Sequence, residues 1–276
     1  MLDFGRRFIT SSISIALVVL ILVFAFTFWV SLFTAAAAAA LSAIALWEYN
    51  QFAREKGGMA KTSLLMILAA CVTVSFYFAI TWRYFPETIF FLSILVLFAR
   101  HFRRKEGAIV DLAISAFGLL YIAIPLGMIL GILYGPHAED GRIWAAYLLA
   151  TTKMTDIGGY FGGSLWGRRK LAPKISPGKT WEGSLFGLAL SLLTSFLFHL
   201  FGGLSAHFTL SSLEWVFLGL SLGCIAQFGD LSESLLKRDA NKKDSNSLPG
   251  LGGILDAVDS LLFNAPIVYF FLMVFR

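Results

Sequence analysis

Charged residues are scarce in this chain of 276 residues: Asp, Glu, Lys and Arg together make up 14% of it, whereas 58% of the residues are hydrophobic. Soluble globular domains contain about 25% charged residues and a smaller apolar fraction. The 27 Phe and 7 Trp residues add to an apolar surface that a soluble core of this size cannot bury. The composition therefore excludes an ordinary soluble protein and predicts an integral membrane protein.

Cysteine and histidine are also rare, with two and four residues respectively. Both cysteines, Cys71 and Cys224, lie inside apolar stretches, where a thiol behaves as a small hydrophobic side chain. The histidines show no ligand spacing with cysteines or acids. We therefore predict neither a disulfide framework nor a zinc-type site.

Long apolar runs dominate the sequence. A helix needs about 20 apolar residues to cross a bilayer, and residues 8–47, which contain no charge, are long enough for a hairpin of two helices. Seven more runs lie at 62–82, 88–99, 108–133, 143–167, 183–201, 213–228 and 254–275. The sequence thus predicts an all-α, polytopic integral membrane protein with about nine transmembrane helices.

The basic residues predict the orientation of these helices. With the N-terminus in the cytoplasm, the external segments contain only Arg83, Arg142 and Arg276. Most other lysines and arginines then fall in cytoplasmic segments, at residues 6–7, 54–61, 100–105, 168–179 and 237–243. This asymmetry also explains the net charge of +5, so we predict no nucleic-acid partner. We expect a protein integral to the cell (inner) membrane, with its polar segments facing the cytoplasm.

The first polar segment, residues 227–260, holds five acidic and four basic side chains between Asp230 and Asp256. Asp256 and Asp259 are spaced to lie on one helix face, where their repulsion favours a bound cation. A second stripe at helical spacing comprises Asp230, Glu233, Ser234 and Lys237. From spacing alone, this stripe fits an amphipathic juxtamembrane helix as well as a site. Carboxylates from separate helices suit magnesium, and the neighbouring cations suit phosphate.

The second polar segment, residues 151–183, contains the sequence P-G-K-T at 177–180. This sequence does not complete a P-loop, because the glycine required five residues before Gly178 is replaced by Pro173. Ser176, Lys179 and Thr180 are still candidate phosphate ligands on a basic loop. The five glycines between residues 158 and 167 fit close packing of membrane helices.

Together the two segments resemble the signature of the phosphatidate cytidylyltransferases, also called CDP-diacylglycerol synthases. The matching residues are Gly229 to Ser234, Lys237, Arg238, Lys243, Asp244, Pro249 to Gly253, Asp256 and Asp259 in the first segment, and Asp156, Ser176, Pro177, Lys179, Thr180, Glu182 and Gly183 in the second. Two positions depart from the family pattern: Leu251 stands where the family usually has His, and Ala257 where it usually has Arg. In the family pattern, the His and Arg side chains at these two positions would lie beside a polyphosphate.

The resemblance implies a nucleotidyltransferase that transfers the cytidylyl group of CTP to phosphatidate in the inner leaflet, forming CDP-diacylglycerol and pyrophosphate in phospholipid biosynthesis. It implies Mg²⁺ held by Asp230 and Asp256, and it leaves a second, monovalent cation and a homodimer open. The implied catalytic residues are Lys237, Arg238, Asp244 and Asp259, and the implied substrate-binding residues are Ser176, Lys179, Thr180, Ser234 and Asp156. The domain would be a single membrane-embedded unit over 1–276, with N-terminal helices at 1–142 and the catalytic helices and cytoplasmic loops at 143–276.

Two alternatives stay open at this point. A cation-coupled membrane transporter would use Lys153, Asp156, Asp256 and Asp259 as an ion pathway. Against it, the charges cluster at the ends of predicted helices rather than at the bilayer midplane, and cations accompany the acids. A catalytically weak member of the same family would follow from Leu251 and Ala257.

Overall fold

The computed structural model describes residues 16–102, 106–136, 139–202, 208–242 and 253–276. Several residues that the sequence analysis singled out lie outside these ranges. They include Arg6 and Arg7, the start of the first predicted span at Phe8, Asp244, and Leu251 in the glycine bend. The roles predicted for these residues remain predictions.

Helices account for most of the described residues, which confirms the predicted all-α membrane protein. After a helical segment at 16–23, they are α1 (Phe28–Glu55), α2 (Thr62–Ser75), α3 (Phe85–His101), α4 (Ala108–Gly118), α5 (Ile124–Tyr134), α6 (Gly141–Trp166), α7 (Trp181–Gly202), α8 (Ser212–Asp239) and α9 (Ile254–Phe275). A 3₁₀ turn, Tyr77–Ile80, follows α2, and a π-helical segment, Leu119–Ala123, joins α4 to α5. An antiparallel hairpin of β1 (Lys170–Ala172) and β2 (Ser176–Thr180), which we did not predict, lies between α6 and α7.

Six helical stretches of the described residues are long and apolar enough to cross a membrane. They are Phe28–Glu55, Thr62–Ile80, Ala108–Tyr134, Trp181–Gly202, Ser212–Asp239 and Ile254–Phe275. Many outward-facing side chains on these helices are apolar: Trp29, Leu185 and Phe217 are 77%, 64% and 63% exposed. Such a surface is stable against lipid, where the backbone polar groups are satisfied inside each helix.

Helices α6 and α7 pack closely through glycines, as the sequence predicted. A Cβ atom added at Gly158 would lie 2.8 Å from the Cα of Gly187, and one added at Gly183 would lie 2.6 Å from the carbonyl oxygen of Gly159. Side chains at these positions would force the two helices apart. The close packing holds the α6 end of the second polar segment beside the start of α7.

The carboxylate of Glu48, on α1, caps the N-terminus of α9. Its Oε1 accepts a hydrogen bond from the backbone N–H of Ile254 at 2.9 Å, and its Oε2 accepts one from Leu255 at 2.8 Å. The first N–H groups of a helix have no partner within the helix, so these two bonds satisfy donors that would otherwise be buried and unpaired. Glu48 is 1% exposed. The contact ties the N-terminal helices to the helix that carries Asp256 and Asp259.

Replacing Glu48 tests this cap. We expect Glu48→Ala to lower the free energy of unfolding by about 2 kcal/mol, because two N–H groups of α9 lose their acceptors. Thermal unfolding of the detergent-solubilised protein measures the loss. The matched control is Glu55→Ala on the same helix, where a half-exposed carboxylate pairs with Lys242 at 3.2 Å and contributes less than about 1 kcal/mol. Equal losses in the two variants would contradict the cap.

Candidate active site

The two polar segments meet at a cavity of about 460 Å³ between α6, α7, α8 and the β-hairpin. Its wall includes one predicted metal ligand, Asp230, and four of the predicted substrate-binding residues. Those four are Asp156, Ser176, Lys179 and Thr180. The structure therefore brings together side chains that the sequence places on two separate segments.

The β-hairpin holds Ser176, Lys179 and Thr180 against the cavity, and its conformation is fixed at both ends. At the α7 end, the carboxylate of Glu182 accepts hydrogen bonds from the backbone N–H groups of the two residues before β1, at 3.0 and 3.2 Å. At the turn, Arg238 on α8 donates from Nε to the carbonyl oxygen of Ile175 at 3.2 Å. In this structure, the predicted catalytic arginine thus binds the hairpin backbone.

Lys179 and Asp230 form an ion pair at the cavity, with 2.8 Å between Nζ and Oδ2. Lysine on β2 and aspartate on α8 were predicted separately, as a phosphate ligand and a metal ligand. The structure shows that each is the partner of the other, so each compensates the charge of the other.

Two carboxylates line this cavity, those of Asp156 on α6 and Asp230 on α8, and Asp259 on α9 is a buried carboxylate that interacts electrostatically with both. Asp259 on α9 is 7% exposed, and its charge is repelled by those of Asp230 on α8 and Asp156 on α6. Ser260 connects two of them, because its N–H donates to Asp259 Oδ1 at 2.5 Å and its hydroxyl donates to Asp156 Oδ1 at 3.1 Å. Mutual repulsion between these groups would be relieved by a bound cation.

Lys153 supplies a positive charge next to this group. Its Nζ donates to Asp156 Oδ2 at 3.4 Å and to the carbonyl oxygen of Ala257 at 3.3 Å. Ala257 is one of the two positions that depart from the family pattern. An ammonium group from α6 therefore lies at the backbone of the residue where the pattern has arginine.

A second charged cluster joins α8 to α9. The Nζ of Lys237 forms ion pairs with Glu233 one turn earlier and with Oδ1 of Asp256 at 2.5 Å. Asp256 Oδ2 also accepts a hydrogen bond from the N–H of Gly253 at 3.2 Å. Glu233 is completely buried. Glu233 belongs to the polar stripe on α8, but no role was predicted for it; its spacing of four residues from Lys237 was the signal for this ion pair.

The two predicted metal ligands therefore have different partners in the structure. Asp230 faces the cavity and pairs with Lys179, whereas Asp256 binds Lys237 and the first turn of α9. Ser234, a predicted substrate ligand, is half-buried on α8 and is absent from the cavity wall described here.

Comparison with known proteins decides the family. The family model described as "Cytidylyltransferase family" matches residues 6–275. The chain belongs to the cytidylyltransferase family. The resemblance read from the two polar segments is thus confirmed, and the match extends through the N-terminal helices, which the motifs did not cover. A member of this family is a nucleotidyltransferase.

Relatives within the cytidylyltransferase family carry the name phosphatidate cytidylyltransferase. The protein from Chlamydia pneumoniae is 34% identical over 246 residues, covering 84% of this chain and 80% of its own. That from Synechocystis is 36% identical over 261 residues, covering 83% and 85%. The protein from Chlamydia trachomatis is 41% identical over 207 residues, covering 69% and 66%.

The donor set at the cavity fits a magnesium ion that is completed by substrate. Among the described residues, no group of three or more His, Cys, Asp or Glu side chains is arranged to hold a metal ion by itself. Mg²⁺ usually takes one or two protein carboxylates and completes its octahedron with water and substrate phosphates. Asp230, which is 41% exposed at the cavity and pairs there with Lys179, is a carboxylate that such a site would use.

Removing Lys237 tests the second cluster. In Lys237→Met, two carboxylates, one of them fully buried, lose their shared cation, and we expect the free energy of unfolding to fall by about 3 kcal/mol. Adding Glu233→Gln should restore part of this loss, because a neutral amide replaces a buried carboxyl group that has lost its cation. Thermal unfolding in detergent measures both changes. Lys56→Met is the control, since its partner Asp239 is 64% exposed. If Lys237→Met alone is as stable as Lys56→Met, Lys237 does not compensate the charges of Glu233 and Asp256.

Proposed function

We propose that this protein transfers the cytidylyl group of CTP to phosphatidate, forming CDP-diacylglycerol and pyrophosphate in phospholipid biosynthesis. The observation that carries the proposal is the cavity at the ends of apolar helices, whose wall contains a lysine, several hydroxyl groups and carboxylates from two helices. Family membership supports it and favours it over cation-coupled transport. A site of this kind suits one charged, soluble substrate and one membrane-bound substrate.

In the proposed reaction, a phosphate oxygen of phosphatidate attacks the α-phosphorus of CTP. The new P–O bond forms as the bond from the α-phosphorus to the bridging oxygen breaks, and pyrophosphate leaves with that oxygen. The attacking phosphate is already an anion, so no side chain has to act as a nucleophile. The protein contributes by positioning the phosphates and compensating their charge. Lys179 pairs with phosphate oxygens, and the hydroxyl groups of Ser176 and Thr180 donate hydrogen bonds to them.

Asp230 and Asp259 would hold the magnesium ion, with Asp156 beside them. When bound, the ion neutralises the negative charge that accumulates on the phosphates. Asp256, which we also predicted as a ligand, would hold the ion only if its Oδ1 were free of Lys237. Lys237 would then be available to compensate the charge of pyrophosphate, which is the catalytic role predicted for it.

The proposed topology has nine membrane-crossing helices, a cytoplasmic N-terminus and an active site on the cytoplasmic face of the cell (inner) membrane. Three crossings would be added to the six described stretches: the helix that ends at residue 23, α3 and α6. Helix α3 has 17 residues, close to the length that a bilayer crossing requires. The basic hairpin between α6 and α7 supports the cytoplasmic placement, because positively charged segments are retained on that side.

Labelling of single cysteines tests this topology. In a variant with Cys71 and Cys224 replaced by serine, a membrane-impermeant maleimide should label cytoplasmic positions only in inverted vesicles and external positions only in intact cells. The cytoplasmic positions are Lys56, Glu106, Lys174 and Lys242; the external positions are Trp82, Pro136 and Ser211. Labelling of Lys174→Cys from outside would contradict the proposed side of the active site. If the two positions on either side of one helix are labelled from the same side of the membrane, that helix does not cross it.

The enzymatic proposal is tested with the purified protein in detergent, phosphatidate and radiolabelled CTP. We expect CDP-diacylglycerol to form only with Mg²⁺, and Asp230→Asn to lower kcat by about a hundredfold, as loss of a metal-bound carboxylate would. The matched control is Asp239→Asn on the same helix, whose carboxylate is 64% exposed and pairs with Lys56. Its turnover should equal that of the wild type.

The outcomes separate the alternatives. Turnover that is retained in Asp230→Asn would remove this residue from the metal site. Very slow but Mg²⁺-dependent formation of CDP-diacylglycerol by folded wild-type protein would identify a catalytically weak member of the family, in line with Leu251 and Ala257. Absence of product with several phosphatidates and nucleotides would overturn the proposed function.

A further inference from the structure

The ion pair between Lys179 and Asp230 has an unusual position: it lies on the wall of the cavity that we assign to CTP. The two side chains are 22% and 41% exposed. Within the described part of the chain, the buried Lys179 Nζ forms an ion pair with Asp230 but no hydrogen bond that meets the usual geometry. An ammonium group has three donor positions, so this one retains donors for a ligand.

The backbone on both sides of the pair is held in place. The hairpin that carries Lys179 is fixed by Glu182, and α8 is packed tightly against α9 next to Asp230. A Cβ atom added at Gly229 would lie 2.7 Å from the carbonyl oxygen of Asp259. Neither chain segment can withdraw without repacking, so the pair separates by rotation of the long, flexible lysine side chain.

Charge favours replacement of the lysine by a metal ion. Asp230 belongs to a group of three mutually repelling carboxylates with Asp156 and Asp259. A divalent cation compensates two charges of this group, whereas Lys179 compensates one. A cation at Asp230 would also repel the ammonium group that now lies 2.8 Å from its Oδ2.

We propose that binding of the metal ion at Asp230 breaks its ion pair with Lys179, and that the released ammonium group then binds a phosphate of CTP. This inference rests on the proposed function, because it assigns CTP and the ion to the same cavity. Lys179 contributes to nucleotide binding only when another cation compensates the charge of Asp230. By thermodynamic linkage, CTP raises the affinity for the metal ion through the same residue.

Equilibrium binding of radiolabelled CTP to the detergent-purified protein tests the exchange without relying on turnover. Four proteins are compared: the wild type, Lys179→Met, Asp230→Asn and the double variant. Each is measured with Mg²⁺ and with EDTA. Asparagine carries no charge and cannot form the ion pair, so Asp230→Asn should release Lys179 without any metal ion.

We expect Lys179→Met to weaken CTP binding about tenfold with Mg²⁺, as loss of a charge-assisted contact does, but less than about twofold in EDTA. In the Asp230→Asn background, the same substitution should weaken binding about tenfold even in EDTA. This last comparison is decisive. Two results would overturn the inference. One is that Lys179→Met weakens CTP binding equally with Mg²⁺ and with EDTA. The other is that it leaves CTP binding in EDTA unchanged in the Asp230→Asn background.

Lys170→Met provides the matched control for a general change of charge, because Lys170 is an exposed lysine on β1 of the same hairpin. Its effect on CTP binding should be small and the same in all conditions. If Lys179→Met proves unstable, as shown by thermal unfolding, Lys179→Gln replaces it. Failure of the wild type to bind CTP with Mg²⁺ would count against the proposed function itself. CTP binding without the expected dependence on Asp230 would reject only the exchange.

Discussion

Lys237 lies between the carboxylates of Glu233 and Asp256, and the polar end of the helical bundle depends on this contact. Glu233 is completely buried, and a charge inside a membrane protein is stable only when it is paired. Because Asp256 also accepts a hydrogen bond from the N–H of Gly253, the lysine ties α8 to the first turn of α9. Glu48 binds the next two N–H groups, so α9 is positioned from two sides.

The same requirement for charge pairing explains why the basic side chains at and near the cavity already have partners. Lys153, Lys179 and Lys237 each contact a carboxylate, and Arg238 donates to the hairpin backbone. In the proposed function, substrate phosphates would therefore displace existing ion pairs instead of entering a site of free cations. When a lysine–carboxylate ion pair is broken, the phosphates of a ligand that carries a metal ion pair with the lysine, and the metal ion pairs with the carboxylate. This favours a nucleotide with its cation over either one alone.

Much of the fold was predictable because it follows from local properties of the chain. The apolar runs and the absence of charge predicted the helices, and the glycines between 158 and 167 predicted close helix packing, which the structure shows between α6 and α7. The β-hairpin was missed because the sequence of β2, S-P-G-K-T, has little intrinsic strand preference. That hairpin forms where Glu182 binds the N–H groups before β1 and Arg238 binds the turn, and neither contact is visible in the pattern.

The sequence by itself determined the helical membrane fold, the family, and which acidic and basic side chains share a helix face. Only the tertiary structure decided that Asp230 pairs with Lys179 while Asp256 pairs with Lys237, and that Glu48 caps a helix that begins 206 residues later. The physical reason is that helical period is a property of one segment. Partners across the bundle depend on how neighbouring helices approach and rotate, and close backbone packing sets that arrangement.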